Sequence, residues 1–173
     1  MARWVGTAGT RRTVAGLVVV ACVALGGGAG AAGGSGGGKS APPEPTREIL
    51  VQTQPAQAPG YELYLYRVTV PPGAEIAPHT HPGTQAASIE RGVLTYTLIS
   101  GSADVTRAQA DGQPGTTPET VTGPTTVKLR TGDSVVENPE LVHEAANKGK
   151  KPVVILLSAL LTDGAPLSEP ATG

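Results

Sequence analysis

The chain has 173 residues, a formal net charge of −1 and a charged fraction of only 16%, which leaves no basic patch for binding nucleic acid. Aromatic residues make up 3% and phenylalanine is absent, which argues against a stacking platform for single-stranded nucleic acid. Cys22 is the single cysteine, so the chain can form no internal disulfide, and a metal site in the mature domain must use nitrogen and oxygen ligands.

Residues 1–32 have the pattern of an export signal. Arg3, Arg11 and Arg12 precede the apolar run TVAGLVVVACVAL, and small residues follow it. Within this run, VVAC resembles a bacterial lipobox, which would place a lipid on Cys22 and tether the mature protein to a membrane. A cut nearer GAGAA would release a soluble product instead, and an uncleaved membrane anchor is a third alternative. We therefore expect an exported protein, periplasmic or extracellular, either soluble or membrane-anchored.

The rest of the chain divides into a linker, one domain and a tail. Residues 33–46 are rich in glycine and proline and predict a flexible linker. Residues 47–162 are long enough to bury a core without disulfides and predict a single domain. Residues 163–173 have no apolar pattern and predict a flexible C-terminal tail.

Beyond the linker the sequence predicts β-strands. TTVKLR alternates, with Val127 and Leu129 on one face, whereas residues 111–124 are polar with glycine and proline and predict a surface loop. Apolar recurrence at helical spacing is missing, and short strands with frequent turns predict an antiparallel sandwich or barrel. The longest runs of strand-forming residues are YELYLYRVTV (61–70), TQAASIE (84–90), GVLTYTLIS (92–100) and PVVILLSALL (152–161).

Histidine is rare in this chain and unevenly placed. Two of the three histidines, His79 and His81, are separated by one residue, and the third is His143. Residues i and i+2 of a strand point to the same face, so the first two imidazoles should lie on one side. Residues 73–92 follow the spacing Gly-x5-His-x-His-x3-Gln-x6-Gly, in which the glutamine is Gln85.

This spacing resembles the first motif of the cupin superfamily, where a glutamate usually occupies the position of Gln85. The second cupin motif has a counterpart in GDSVVENPELVHEAAN, which begins at Gly132 and places His143 and Asn147 at the expected spacing. The proline and glycine in the middle of that motif are replaced. The resemblance covers residues 60–162 and implies an all-β, double-stranded β-helix fold, the jelly-roll barrel of cupins.

The resemblance also implies a metal site. His79, His81 and His143 would bind one divalent transition metal (Fe, Zn, Cu, Ni or Mn), and Gln85 would be a fourth, weaker ligand or a group bonded to a ligand. Three neutral imidazoles and a neutral amide leave the ion at net +2, which strengthens it as a Lewis acid. This ligand set favours Zn, Cu, Ni or Fe over Mn.

The sequence predicts no acidic residue beside these ligands. Strand parity places Glu90 on the face opposite Gln85, and Glu144 should point away from its neighbour His143. The sequence therefore offers no evident general base. The tyrosines are predicted to be large core residues; they are Tyr61, Tyr64, Tyr66 and Tyr96.

Two functions follow from the resemblance. The first is a metal-dependent enzyme, oxygenase- or isomerase-like, that acts on an unidentified small molecule at a three-histidine centre. The alternative is a non-catalytic module that binds a metal or a small ligand, which the missing glutamate suits. A purely structural barrel with vestigial histidines is a weaker third reading. Cupins commonly pair strands across a dimer interface, so we also expect a homodimer and no nucleic-acid partner.

Overall fold

The computed structural model describes residues 43–171, which form twelve β-strands and no helix. None of these residues belongs to a helix that could cross a membrane. The predicted signal at residues 1–32, Cys22 and most of the predicted linker lie outside the described residues. The strands are β1 (Thr46–Thr53), β2 (Tyr61–Val70), β3 (Glu75–Thr80), β4 (Gly83–Arg91), β5 (Val93–Ser100), β6 (Ser102–Thr106), β7 (Pro118–Thr122), β8 (Thr125–Arg130), β9 (Ser134–Glu137), β10 (Val142–Ala146), β11 (Val153–Thr162) and β12 (Glu169–Pro170).

The strands form two antiparallel sheets with a jelly-roll topology. One sheet has the order β1-β2-β11-β4-β9-β6-β7, and the other has the order β12-β3-β10-β5-β8. Within them, β2-β11-β4-β9 and β3-β10-β5-β8 are the two four-stranded sheets of a jelly roll, in which the chain passes repeatedly from one sheet to the other. The fold is therefore a double-stranded β-helix, the cupin fold, as the sequence predicts.

The core lies between the two sheets and is built from alternating strand residues. β11 is the most apolar strand and pairs with β2 on one side and β4 on the other, which makes it central to its sheet. Each fully buried aliphatic side chain contributes roughly 1.5–3 kcal/mol of transfer free energy. The large aliphatic side chains with almost no exposure are Ile89, Leu98, Leu129, Leu141 and Leu161.

The residues of the two histidine motifs also have clear structural roles. Gly73, Gly92 and Gly132 all have positive φ angles of 78°, 94° and 89°, which only glycine adopts readily. The side chain of Asn147 donates hydrogen bonds to the carbonyl oxygens of Val70 and Lys151, at 2.8 and 2.9 Å. Asn147 thus holds the turn after β10.

Two segments differ from the sequence-based expectation. The predicted loop 111–124 contains β7, an exposed edge strand paired with β6; its Pro-Glu-Thr-Val-Thr sequence has no apolar alternation to reveal it. The segment predicted as a tail, residues 163–173, contains the short strand β12, which pairs with β3, and Leu167 packs against the core. This packing depends on Leu167 alone, and a single apolar residue among polar ones gives no alternating pattern from which a strand could be predicted.

Candidate metal centre

The three histidines meet inside the barrel. His79, at the end of β3, is the direct cross-strand partner of His143 on β10, and His81 follows β3 immediately. The ring centroids of His79 lie 4.2 Å from His143 and 4.9 Å from His81, and those of His81 and His143 are 5.3 Å apart. All three side chains are buried, and each offers a nitrogen within 4.8 Å of the others. Their predicted convergence is confirmed.

Backbone carbonyls set the protonation of two of these rings. Nδ1 of His79 lies 2.8 Å from the carbonyl oxygen of Ala77, and Nδ1 of His81 lies 2.7 Å from that of Leu167. A carbonyl oxygen can only accept a hydrogen bond, so both Nδ1 atoms carry the proton. In the neutral imidazole this leaves an unprotonated Nε2, which is the arrangement of a metal-binding histidine. In His81 this nitrogen lies 2.9 Å from the amide nitrogen of Gln85.

Burial keeps His79 and His143 uncharged. Desolvation, together with the neighbouring His143, lowers the pKa of His79 to about 4, and desolvation and His81 lower the pKa of His143 to about 3. Nδ1 of His143 is buried and makes no hydrogen bond within the described part of the chain. The cluster therefore offers imidazole nitrogens, which fit a divalent transition metal.

Gln85 directs its amide nitrogen toward the histidines. It lies on β4, in the opposite sheet from His79 and His143, and its Nε2 is 2.9 Å from Nε2 of His81. Its carbonyl oxygen accepts a hydrogen bond from the hydroxyl of Tyr66. This orientation presents a hydrogen-bond donor to the cluster, whereas a glutamine binds a metal through its oxygen. Of the two roles predicted for Gln85, the geometry fits the group bonded to a ligand.

Glu137 is a site residue that the sequence-based interpretation missed. It lies on β9 and is only 3% exposed, with Oε2 3.5 Å from Nε2 of His81 and Oε1 3.7 Å from Nε2 of His143. The expectation that acids near the motifs all point outward is therefore wrong. Parity with the buried Val135 could have revealed Glu137, but the intervening Val136 is also apolar and obscured the alternation.

Two tyrosine hydroxyls complete the polar part of the site. Tyr96 on β5 donates a 2.7 Å hydrogen bond to Oε1 of Glu137, and Tyr66 on β2 donates to Gln85. Burial raises the pKa of both phenols, and the nearby Glu137 carboxylate raises it further, so both are neutral donors. Both are buried as predicted, but their hydroxyls belong to the site. Tyr61, which is also predicted to lie in the core, is 44% exposed.

The cluster forms one wall of a cavity of about 470 Å³. The other walls are mainly aliphatic, and Arg47 and Glu75 also contribute to the lining. Glu90 lies outside, where it pairs with Arg67 at 2.9 Å, so its predicted orientation is confirmed. The aliphatic residues of the lining include Val68, Ile89, Leu94, Leu129, Ile155 and Leu157.

Comparison with known proteins finds similarity to solved structures. No protein-family model and no curated protein matches the sequence. A conserved protein with a double-stranded β-helix domain from Klebsiella pneumoniae subsp. pneumoniae MGH 78578 is 25% identical, with a TM-score of 0.40, over 75% of this chain and 86% of that one. A cupin 2 domain-containing protein from Halorhodospira halophila is 18% identical, with a TM-score of 0.44, over 75% of this chain and 72% of that one. KdgF from Halomonas sp. is 20% identical, with a TM-score of 0.45, over 69% of this chain and 81% of that one. Because these TM-scores lie below 0.5, the fold assignment rests on the strand order described above.

Proposed function

We propose that this cupin-fold protein binds one divalent transition metal through His79, His81 and His143 and acts as a metal-dependent enzyme on a small molecule. The observation that carries the proposal is the convergence of three buried imidazoles on one cavity wall. When bound, the ion would supply Lewis-acid polarisation of a substrate oxygen for an isomerase-like reaction, or redox chemistry with dioxygen for an oxygenase-like one.

The cavity supports an enzyme over a module that only stores a metal. It has room for a small molecule beside the histidines, and its aliphatic walls would exclude water from an apolar substrate. Glu137 and Tyr96 place a carboxylate and a hydroxyl at the same wall, so groups that can move a proton are present. The non-catalytic binding module remains the alternative, because the same cavity and histidines would also serve it.

We further propose that the protein acts outside the cytoplasm and as a homodimer. Support for export comes from the sequence of residues 1–32, in which Cys22 would be either lipidated or removed with the signal. A protein of this kind would meet its metal and its substrate in the periplasm or the extracellular space.

Metal content is the direct test. We expect elemental analysis of protein purified from an exporting bacterial host to give close to one equivalent of a transition metal, and His143→Ala to lose it. Glu144→Gln is a matched control, because Glu144 is the neighbouring residue on β10 and points to the other face. Equal metal content in wild type and His143→Ala, or a wild-type protein that stays metal-free after incubation with Fe, Zn, Cu, Ni and Mn, would contradict the proposal.

A second assay on the same samples distinguishes an enzyme from a binding module. Oxygen consumption and substrate loss would be followed with thiols, diketones and phenolic compounds, using His143→Ala as the blank. Turnover by the wild type alone supports the enzyme. Saturable binding of a compound without turnover supports the module.

A further inference from the structure

The glutamate that cupins usually have at position 85 has a counterpart on β9, the strand that pairs with β4. In the register of β4 and β9, Gln85 is the direct cross-strand partner of Glu137. Directly opposed residues on one face of a sheet have Cβ atoms about 4.5–5.5 Å apart, so either position can present a side chain to the same point. Glu137 is thus placed to supply the carboxylate that position 85 lacks.

The distances around Glu137 suit a ligand. Two ligands about 2.0–2.1 Å from a tetrahedral ion lie roughly 3.3–3.4 Å from each other. The Glu137 oxygens lie 3.5 and 3.7 Å from Nε2 of His81 and His143, close to that separation. One carboxylate group therefore reaches toward two of the three histidines at once.

The neighbours of Glu137 orient it, and the Gln85 amide nitrogen that contacts it also lies 2.9 Å from Nε2 of His81. Its Oε2 accepts a 2.5 Å hydrogen bond from the amide of Gln85, and its Oε1 accepts one from the hydroxyl of Tyr96. A carboxylate only accepts, so the Gln85 amide nitrogen must face it, and the Gln85 oxygen is directed to Tyr66. Gln85 and the two tyrosines therefore act as positioning residues for the carboxylate.

The charge of the site also supports Glu137 as a metal ligand. Glu137 is buried, and no lysine or arginine nitrogen lies within 4 Å of its carboxylate in residues 43–171. A buried carboxylate without a cationic partner is costly, and a divalent cation would compensate its charge.

We propose that Glu137 is the fourth protein ligand of the metal, so that β9 supplies the carboxylate of a three-histidine, one-carboxylate site. This inference rests on the proposed metal site. It changes the charge of the site from the +2 expected from the sequence to +1, because the ion is bound by one anionic group. It also removes the reason to disfavour Mn, which prefers oxygen ligands.

Cobalt substitution tests the assignment without a substrate. The visible spectrum of Co²⁺ reports its ligands directly, and Zn²⁺ affinity would be measured by competition with a chromophoric chelator. We expect Glu137→Gln to weaken Zn²⁺ binding by at least about tenfold, since even a group outside the coordination sphere typically contributes that much, and to change the Co²⁺ spectrum. The double variant Gln85→Glu/Glu137→Gln, which exchanges the two side chains across the strand pair, should regain most of the affinity.

The outcomes separate this inference from the proposed function. If wild type and His79→Ala bind Co²⁺ equally, or neither binds it, the metal site itself is wrong. If His79→Ala loses the ion but Glu137→Gln keeps wild-type affinity and spectrum, the metal site stands and Glu137 is not a ligand. Should Glu137→Gln fail to fold by circular dichroism, Glu137→Asp decides instead. A changed spectrum for this shortened carboxylate supports ligation, and an unchanged one overturns it.

Discussion

At the scale of single residues, His79 and His143 are neutral because the barrel removes them from water. Each has a pKa far below the ordinary value of 6.5, about 4 for His79 and about 3 for His143. The unfolded chain therefore binds more protons than the folded chain between these values and pH 6.5. The free energy of unfolding must rise with pH across that window.

We expect the metal-free protein to lose stability as the pH falls from 6.5 toward 4. The contribution of the buried histidines is fully present above pH 6.5 and is lost as the pH falls through their folded-state pKa values. Urea unfolding at a series of pH values, in the presence of a chelator, measures this slope. His143→Gln should show a shallower slope, and a variant slope as steep as that of the wild type would contradict the pKa assignment.

The residues that could be predicted from the sequence differ physically from those that could not. His79 and His81 share a face through strand parity alone, and His143 joined them through the spacing of two motifs. Glu137 lies on a strand of only four residues with two adjacent valines, where parity is hard to read. The bond from His81 to Leu167 joins residues 86 positions apart through a backbone carbonyl, which carries no sequence signal.

At the scale of secondary-structure elements, the short strand β12 contributes to the site although it carries no ligand. It pairs with β3, the strand that carries His79, and the segment before it supplies the Leu167 carbonyl that binds Nδ1 of His81. The amide of Ala171 adds a hydrogen bond to the carbonyl of Pro78. The segment that contains Leu167 therefore orients one of the three histidines.

We expect truncation after Asp163 to weaken metal binding by roughly 10–100-fold, the usual effect of losing an outer hydrogen-bond partner of a metal-binding histidine. Isothermal titration with Zn²⁺ measures the change. Truncation after Ala171 is the matched control and should leave the affinity unaltered. Leu167→Ala keeps the carbonyl and removes the packing, so it should lower the melting temperature more than the affinity. If the protein truncated after Asp163 binds Zn²⁺ with wild-type affinity, the Leu167 carbonyl does not contribute to metal binding.

At the scale of the whole molecule, β1 is an exposed strand at the edge of a sheet. Its eight residues are all exposed, and it forms the outer edge of the seven-stranded sheet. Ile49 and Val51 are 45% and 48% exposed. An edge strand with apolar side chains is a site where a second sheet can pair, which suits the predicted homodimer.

We expect light scattering coupled to size-exclusion chromatography to give the mass of a dimer, and Val51→Lys to shift it toward the monomer. Lysine on an edge strand opposes strand pairing through charge and desolvation. Val136→Lys is the control, because Val136 is a similarly exposed valine on β9, inside the same sheet. If the wild type is a monomer, or if Val51→Lys leaves a dimer intact, β1 is not the dimer interface.

The contact between His81 and Leu167 has a practical consequence for anyone who makes this protein. The proposed export signal at residues 1–32 would favour an affinity tag placed after the barrel rather than before it. A tag fused after residue 173 would follow the carbonyl that orients His81 by only a few residues. A polyhistidine fusion at this end would bring extra imidazoles close to the centre whose metal is being measured, and a removable or histidine-free tag avoids the artefact.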